Sequence, residues 1–130
     1  MKHQLSFATI TLLSDCIAEV VVNKDVEISL EMVEEYEAFL ADKFSNAFGL
    51  LVNKIHHYHF SFEAKLSINS HENLKAIAVV NYNEESELVT KDIAAIRAID
   101  GWNLKSFSGL DLGWQQGFDW LKKELSAING

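Results

Sequence analysis

Apolar positions in this chain alternate between short β-rich runs and stretches at helical spacing. From Leu5 to Leu12 and again from Cys16 to Val22 the residues are mostly β-branched or aromatic, and Ser14-Asp15 stands between the runs as a turn. This predicts two antiparallel strands. Asn23-Lys24-Asp25 breaks the second run, and Ser29 then precedes Leu30-Glu31-Met32 as an N-cap with an acid near the positive end of the helix dipole. Met32, Tyr36, Phe39, Leu40 and Phe44 recur at helical spacing while Glu34, Glu35 and Glu37 take the other side. An amphipathic helix ending near Phe44 is expected to lie on a sheet.

Phe48-Gly-Leu-Leu-Val-Asn53 is apolar on both faces, as a central strand covered on each side would be. The segment after it carries two conflicting patterns. Tyr58, Phe60, Phe62, Ala64, Leu66 and Ile68 alternate with polar residues, which is a strand period. Ser61 followed by Glu63 suits a helix start, however, Phe62/Leu66 and Ala64/Ile68 are four apart, and a crossover is needed before the next buried strand. The segment is read as a helix from Ser61.

Leu74 to Val80 is that next strand, ending in Asn81-Tyr82-Asn83. Glu84 to Arg97 reads as a helix with Val89, Ile93 and Ile96 on one face, and Asp100-Gly101 then leads to a short strand near Leu104 to Phe107. Asp111 is expected to cap a last helix that turns Trp114, Phe118, Leu121 and Leu125 inward. The fold class is therefore α/β: a mixed sheet of about five strands starting with a β-hairpin, with about four helices, in one domain over residues 1–130.

Composition narrows the partners. A net charge of −8, with Arg97 the one arginine among 11 basic residues, disfavours nucleic acid and anionic membranes, since a negative field repels polyanions. No apolar run is long enough to cross a bilayer, so no membrane insertion is expected. Met1-Lys-His-Gln-Leu-Ser lacks the continuous apolar stretch of a signal peptide, which points to a cytoplasmic protein. Cys16, the single cysteine, reads as a buried small hydrophobe. The glutamates bunched at 31–37 and at 84–87 read as solvated helix faces.

Chemistry is sought beyond the carboxyl end of the central strand, where open α/β sheets place ligands. Asn53, Asn81 and Asn83 gather donors and acceptors at strand ends, either for a small ligand or as loop caps. Tyr58, Phe60 and Phe62 line a pocket for an apolar ligand or pack in the core. His56, His57 and His59 lack the helical i, i+4 pairing of a metal site, so no metal is expected. No Gly-rich phosphate loop, CxxC pair or supported Ser-His-Asp order occurs, and neither catalytic residues nor a cofactor is expected.

Ile17-Ala-Glu-Val-Val-Val22 running into Glu27-Ile-Ser-Leu30, Leu50-Leu-Val-Asn53 with Ser61-Phe-Glu-Ala64, Lys75-Ala-Ile-Ala-Val-Val80 and Trp120-Leu-Lys122 together resemble the STAS domain. This is the SpoIIAA-like fold of anti-sigma-factor antagonists and transporter tails, and the likeness is nearer to small bacterial STAS/SEC14-type proteins. In the antagonists a strand-end aspartate is followed by a phosphorylatable serine at a helix start. Asn53 stands near the first position and Ser61 near the second, but Phe60 and Phe62 flank the serine, and the acidic neighbour and glycine are missing. The resemblance implies a non-enzymatic regulatory or protein-interaction module, with a protein partner or a homodimer, and Asn53, Tyr58, Phe60, Ser61, Phe62, Asn81 and Asn83 as the candidate surface. Its SEC14 side implies a small apolar or lipid-like ligand instead.

Overall fold

The computed structural model describes residues 2–129. The predicted hairpin is formed by β2 (Ala8–Leu12) and β3 (Ile17–Val22), which pair antiparallel with Ala8 opposite Val22 and Leu12 opposite Ala18. The Ser14 hydroxyl accepts the Cys16 N–H at 3.2 Å and shapes the turn. One strand is added outside it. β1 (Lys2–Gln4) pairs antiparallel with β2, which extends the sheet to six strands where about five were expected.

After β3 come β4 (Glu27–Ile28), α1 (Leu30–Lys43), β5 (Phe48–Asn53), β6 (His59–Phe60) and α2 (Phe62–Ser67). The chain continues through β7 (Leu74–Asn81), α3 (Glu84–Ile96), a 3-10 turn at Ala98–Asp100, β8 (Leu104–Ser108) and α4 (Gly113–Asn129). The main sheet runs β1-β2-β3-β5-β7-β8, antiparallel up to β3 and parallel from there on. β4 and β6 form a separate two-stranded ribbon. In the contested segment the helix reading holds, with α2 starting one residue after Ser61, and only His59-Phe60 of the alternating stretch is strand.

Two apolar layers sandwich the sheet. On one face Val33, Tyr36 and Leu40 of α1, Ala64 of α2 and Ile93 of α3 pack on Ile10, Val20, Phe48 and Leu50. Right-handed crossovers between adjacent parallel strands place successive helices on the same side, which is why α1, α2 and α3 share this face. On the other face Leu121 and Leu125 of α4 pack on Ile17, Leu51, Ala76, Ala78 and Val80. Close approach here depends on Gly49, because a Cβ at that position would stand 3.0 Å from Leu121 Cδ2.

Several local expectations are corrected by tertiary contacts. α4 opens at Gly113 with Gln116 N–H donating to Leu112 O, so Leu112, and not Asp111, stands at its N-cap position. Cys16 is half-buried, its sulfur 3.7 Å from the Ser14 hydroxyl. Two of the α1 glutamates are tied to the chain: Glu35 accepts the Ser6 N–H at 3.0 Å and Glu37 accepts the Ser70 N–H at 3.1 Å. Burial raises the Glu37 carboxyl above its usual range, against the opposing pull of the Ser70 and Asn69 N–H groups. Arg97, buried under the end of α2, donates to Lys65 O and Ile68 O and lies over the Trp102 ring.

Candidate functional site

The carboxyl ends of β3, β5, β7 and β8 share one edge of the sheet. β7 hands the chain to α3 on one face and β8 hands it to α4 on the other, so adjacent strands part in opposite directions there. A crevice at such a point is a general consequence of the topology. It measures about 400 Å³ and is lined by Asn81, Tyr82, Asn83 and Glu84 on one side and by Ser106 and Ser108 on the other. Asn83 is engaged as the N-cap of α3, its Oδ1 accepting the Ser86 N–H at 2.8 Å. Asn81 Oδ1 accepts the Thr90 hydroxyl at 3.3 Å, while its buried Nδ2 meets no acceptor among the described residues.

Asn53 lies one strand away and belongs to the opposite face. Its Nδ2 donates to Glu19 Oε2 at 3.0 Å, and its Oδ1 accepts the Tyr82 hydroxyl at 2.7 Å. Trp114 Nε1 donates to the same Glu19 oxygen at 2.8 Å. Both ends of the Asn53 carboxamide therefore work inside the protein, tying β3, β5, β7 and α4 together.

Back to back with that cluster, on the α3 side of the sheet, sits Lys54. The residue is only 6% exposed, and its ammonium donates to Thr90 Oγ1 at 2.9 Å and to Ser86 O at 3.4 Å. It lies 5.2 Å from the Tyr58 ring centroid, a cation–π arrangement. No ion pair to it occurs among the described residues. Burial pulls its pKa down to about 8. Below it is a cavity of about 40 Å³ lined by Lys54, Tyr58, Phe60, Thr90 and Trp102.

The aromatic trio does not converge. Tyr58 is buried and makes an edge-to-face contact with the half-buried Phe60, ring centroids 5.6 Å apart, whereas Phe62 is 65% exposed. Burial raises the Tyr58 phenol well above its usual range. Ser61 Oγ accepts the Ala64 N–H at 3.2 Å, and Ser61 N–H donates to Ile28 O at 2.9 Å, so the residue closes the first turn of α2 and ties it to β4. Leu66, four residues after Phe62, is 50% exposed, and Ile55 is 55% exposed. Ala64 of α2 and Ile68 at its C-cap are buried.

His57 Nε2 lies 3.1 Å from His59 Nε2 and 3.3 Å from Glu85 Oε1, while His56 is exposed. Among the described residues no group of three His, Cys, Asp or Glu side chains is placed to hold a metal. No described helix is long and apolar enough to cross a membrane.

Lys54, Glu19 and Thr90 were not singled out by the sequence pattern, and Trp114 was expected only as an inward-facing residue of the last helix. Glu19 carried a signal, being a carboxylate inside the apolar run from Ile17 to Val22. Lys54 carried none, because a lysine after a strand is ordinarily at the surface. No protein-family model, curated protein or solved structure matches the chain, so the functional reading rests on the fold and these side chains.

Proposed function

We propose that the chain is a STAS-like, non-enzymatic regulatory module that docks a protein partner over the outward face of α2. The observation that carries this reading is the exposure of Phe62 and Leu66, 65% and 50%, one helical turn apart on a helix whose opposite side is buried. Two features support the STAS likeness: the main strands follow one another across the sheet in chain order from an antiparallel hairpin, and Ser61 caps the helix after the central strand. Exposed Glu63 beside these apolar groups and the net charge of −8 favour a partner segment with apolar anchors and basic flanks.

The test is affinity enrichment with quantitative mass spectrometry, using wild type, a Phe62→Ser/Leu66→Ser variant and a Leu110→Ser control. Leu110 is 77% exposed at the far crevice. A basic protein enriched by wild type and control and lost from the double variant, with unchanged melts, supports the reading. Retention by the double variant, or a concentration-dependent homodimer that the double variant dissolves, overturns it.

A second reading has its own observation, the 400 Å³ crevice at the parting of β7 and β8. Its lining sets amides, hydroxyls and the carboxylates of Glu84 and Glu87 beside the apolar groups of Phe107 and Leu110, which suits a small ligand with polar groups and an apolar face. The cavity beside Tyr58 and Phe60, where a small apolar or lipid-like ligand was expected, measures about 40 Å³. A native mass spectrum of freshly purified protein tests this: a retained small molecule supports it, and apo protein alone, still apo after addition of mixed sugars and polyols, counts against it.

A further inference from the structure

Lys54 combines three features that a surface lysine lacks: burial, hydrogen-bond partners that are all neutral among the described residues, and an adjoining cavity. We propose that Lys54 is a modification site at which carbon dioxide adds to the side-chain amine to form a carbamate.

The size of the cavity selects the electrophile. A water molecule needs roughly 10–15 Å³ of this kind of space, so the volume of about 40 Å³ beside Lys54 holds a molecule of a few atoms. Carbon dioxide is small and uncharged, and it enters an apolar lining of Tyr58, Phe60 and Trp102 without giving up a strong hydration shell.

The amine must be neutral to react, and the surroundings favour that form. Its polar contacts are a hydroxyl and a carbonyl, with no carboxylate to hold the proton. The lowered pKa of about 8 leaves a substantial neutral fraction near physiological pH. In the reaction the nitrogen lone pair attacks the carbon, a C–N bond forms, and one C=O π pair moves onto oxygen. One N–H proton leaves to solvent, so the net change is amine plus carbon dioxide to carbamate plus a proton.

The product also finds partners. The carbamate nitrogen keeps one N–H for Thr90 Oγ1 or Ser86 O, the acceptors the ammonium already uses. Asn81 Nδ2 is a buried donor without an acceptor among the described residues, and its carboxamide is joined to Lys54 through the Thr90 hydroxyl. A carbamate oxygen would supply what that donor lacks.

The experiment equilibrates the full chain with 13C-bicarbonate near pH 8, records the carbon NMR spectrum, and traps carbamates by O-ethylation with a trialkyloxonium salt before peptide mass spectrometry. The expected result is a carbamate resonance absent from Lys54→Arg, with trapped label on Lys54 at least tenfold above any other lysine or the α-amine. Label spread evenly over the lysines, or an unlabelled Lys54 peptide, overturns the proposal. Peptide mapping on the wild-type chain decides the matter even if Lys54→Arg does not fold.

Discussion

Trp114 Nε1 donates a 2.8 Å hydrogen bond to Glu19 Oε2, joining the first turns of the last helix to the hairpin strand 95 residues earlier. The same carboxylate oxygen accepts from Asn53, so α4 is locked to the middle of the sheet by a polar bond as well as by its leucines. A hydrogen bond to a charged group contributes about 1.5–3 kcal/mol. Trp114→Phe should therefore lower stability by about that amount in denaturant melts. Gln115→Ala, on the exposed side of the same turn, should change it by under about 0.5 kcal/mol. Equal effects from the two variants would show that the indole bond contributes nothing.

Leu121 is fully buried against the sheet, in contact distance of Gly49. Leu121→Ala should cost about 2–5 kcal/mol, the range for a large-to-small change in a core that cannot collapse around the vacancy. Equilibrium unfolding in urea measures it. A loss below half a kilocalorie would mean that α4 is not packed on the strands.

Ser61 should behave as a cap. Ser61→Ala removes the acceptor for the Ala64 N–H and is expected to destabilise by about 1 kcal/mol, whereas Ser61→Asp retains a capping oxygen and should be close to neutral. If Ser61→Asp instead leaves the melt alone but abolishes partner enrichment, charge at this position acts on docking, as a phosphoryl group would.

Lys54 gives the stability a defined pH dependence. Its folded-state pKa of about 8 lies below the ordinary 10.5, so between these values the unfolded chain binds more protons and stability rises with pH. Below the folded value both states are charged and the burial penalty is fully present. In carbon dioxide-free buffer the gain from pH 7.5 to 9.5 should be about 2 kcal/mol. Near pH 10 and above, the buried Tyr36 and Tyr58 phenols, whose pKa values are raised, pull the other way. Lys54→Met should remove the rise; a rise of the same size in that variant would assign it to other groups.

Much of the architecture follows from local patterns in the chain. The Ser29 and Ser61 caps, the amphipathic stripe of Met32, Tyr36 and Leu40, and the strand from Phe48 to Asn53 all depend on neighbours within a few residues, where periodicity and capping chemistry operate directly. β1 escaped notice because three residues, Lys2–Gln4, show no usable period and are held only by pairing with β2. For Asn81 and Asn83 the sequence pointed to a strand end, and tertiary structure then separated them from Asn53 by sending it to the opposite face. Alternation along each strand fixes such a division only once the register and the covering helices are known.

The aromatic trio shows where local reading stops. Tyr58, Phe60 and Phe62 share a period in the chain, but the β6-to-α2 transition at Ser61 rotates Phe62 into solvent. Lys54 goes further still. By itself the sequence determined the residue and the strand it follows; its burial, its neutral partners and its small cavity were decided only by the tertiary structure. The physical reason is that Thr90 and Trp102 come from other elements, and a side chain's solvation depends on what long-range packing brings over it.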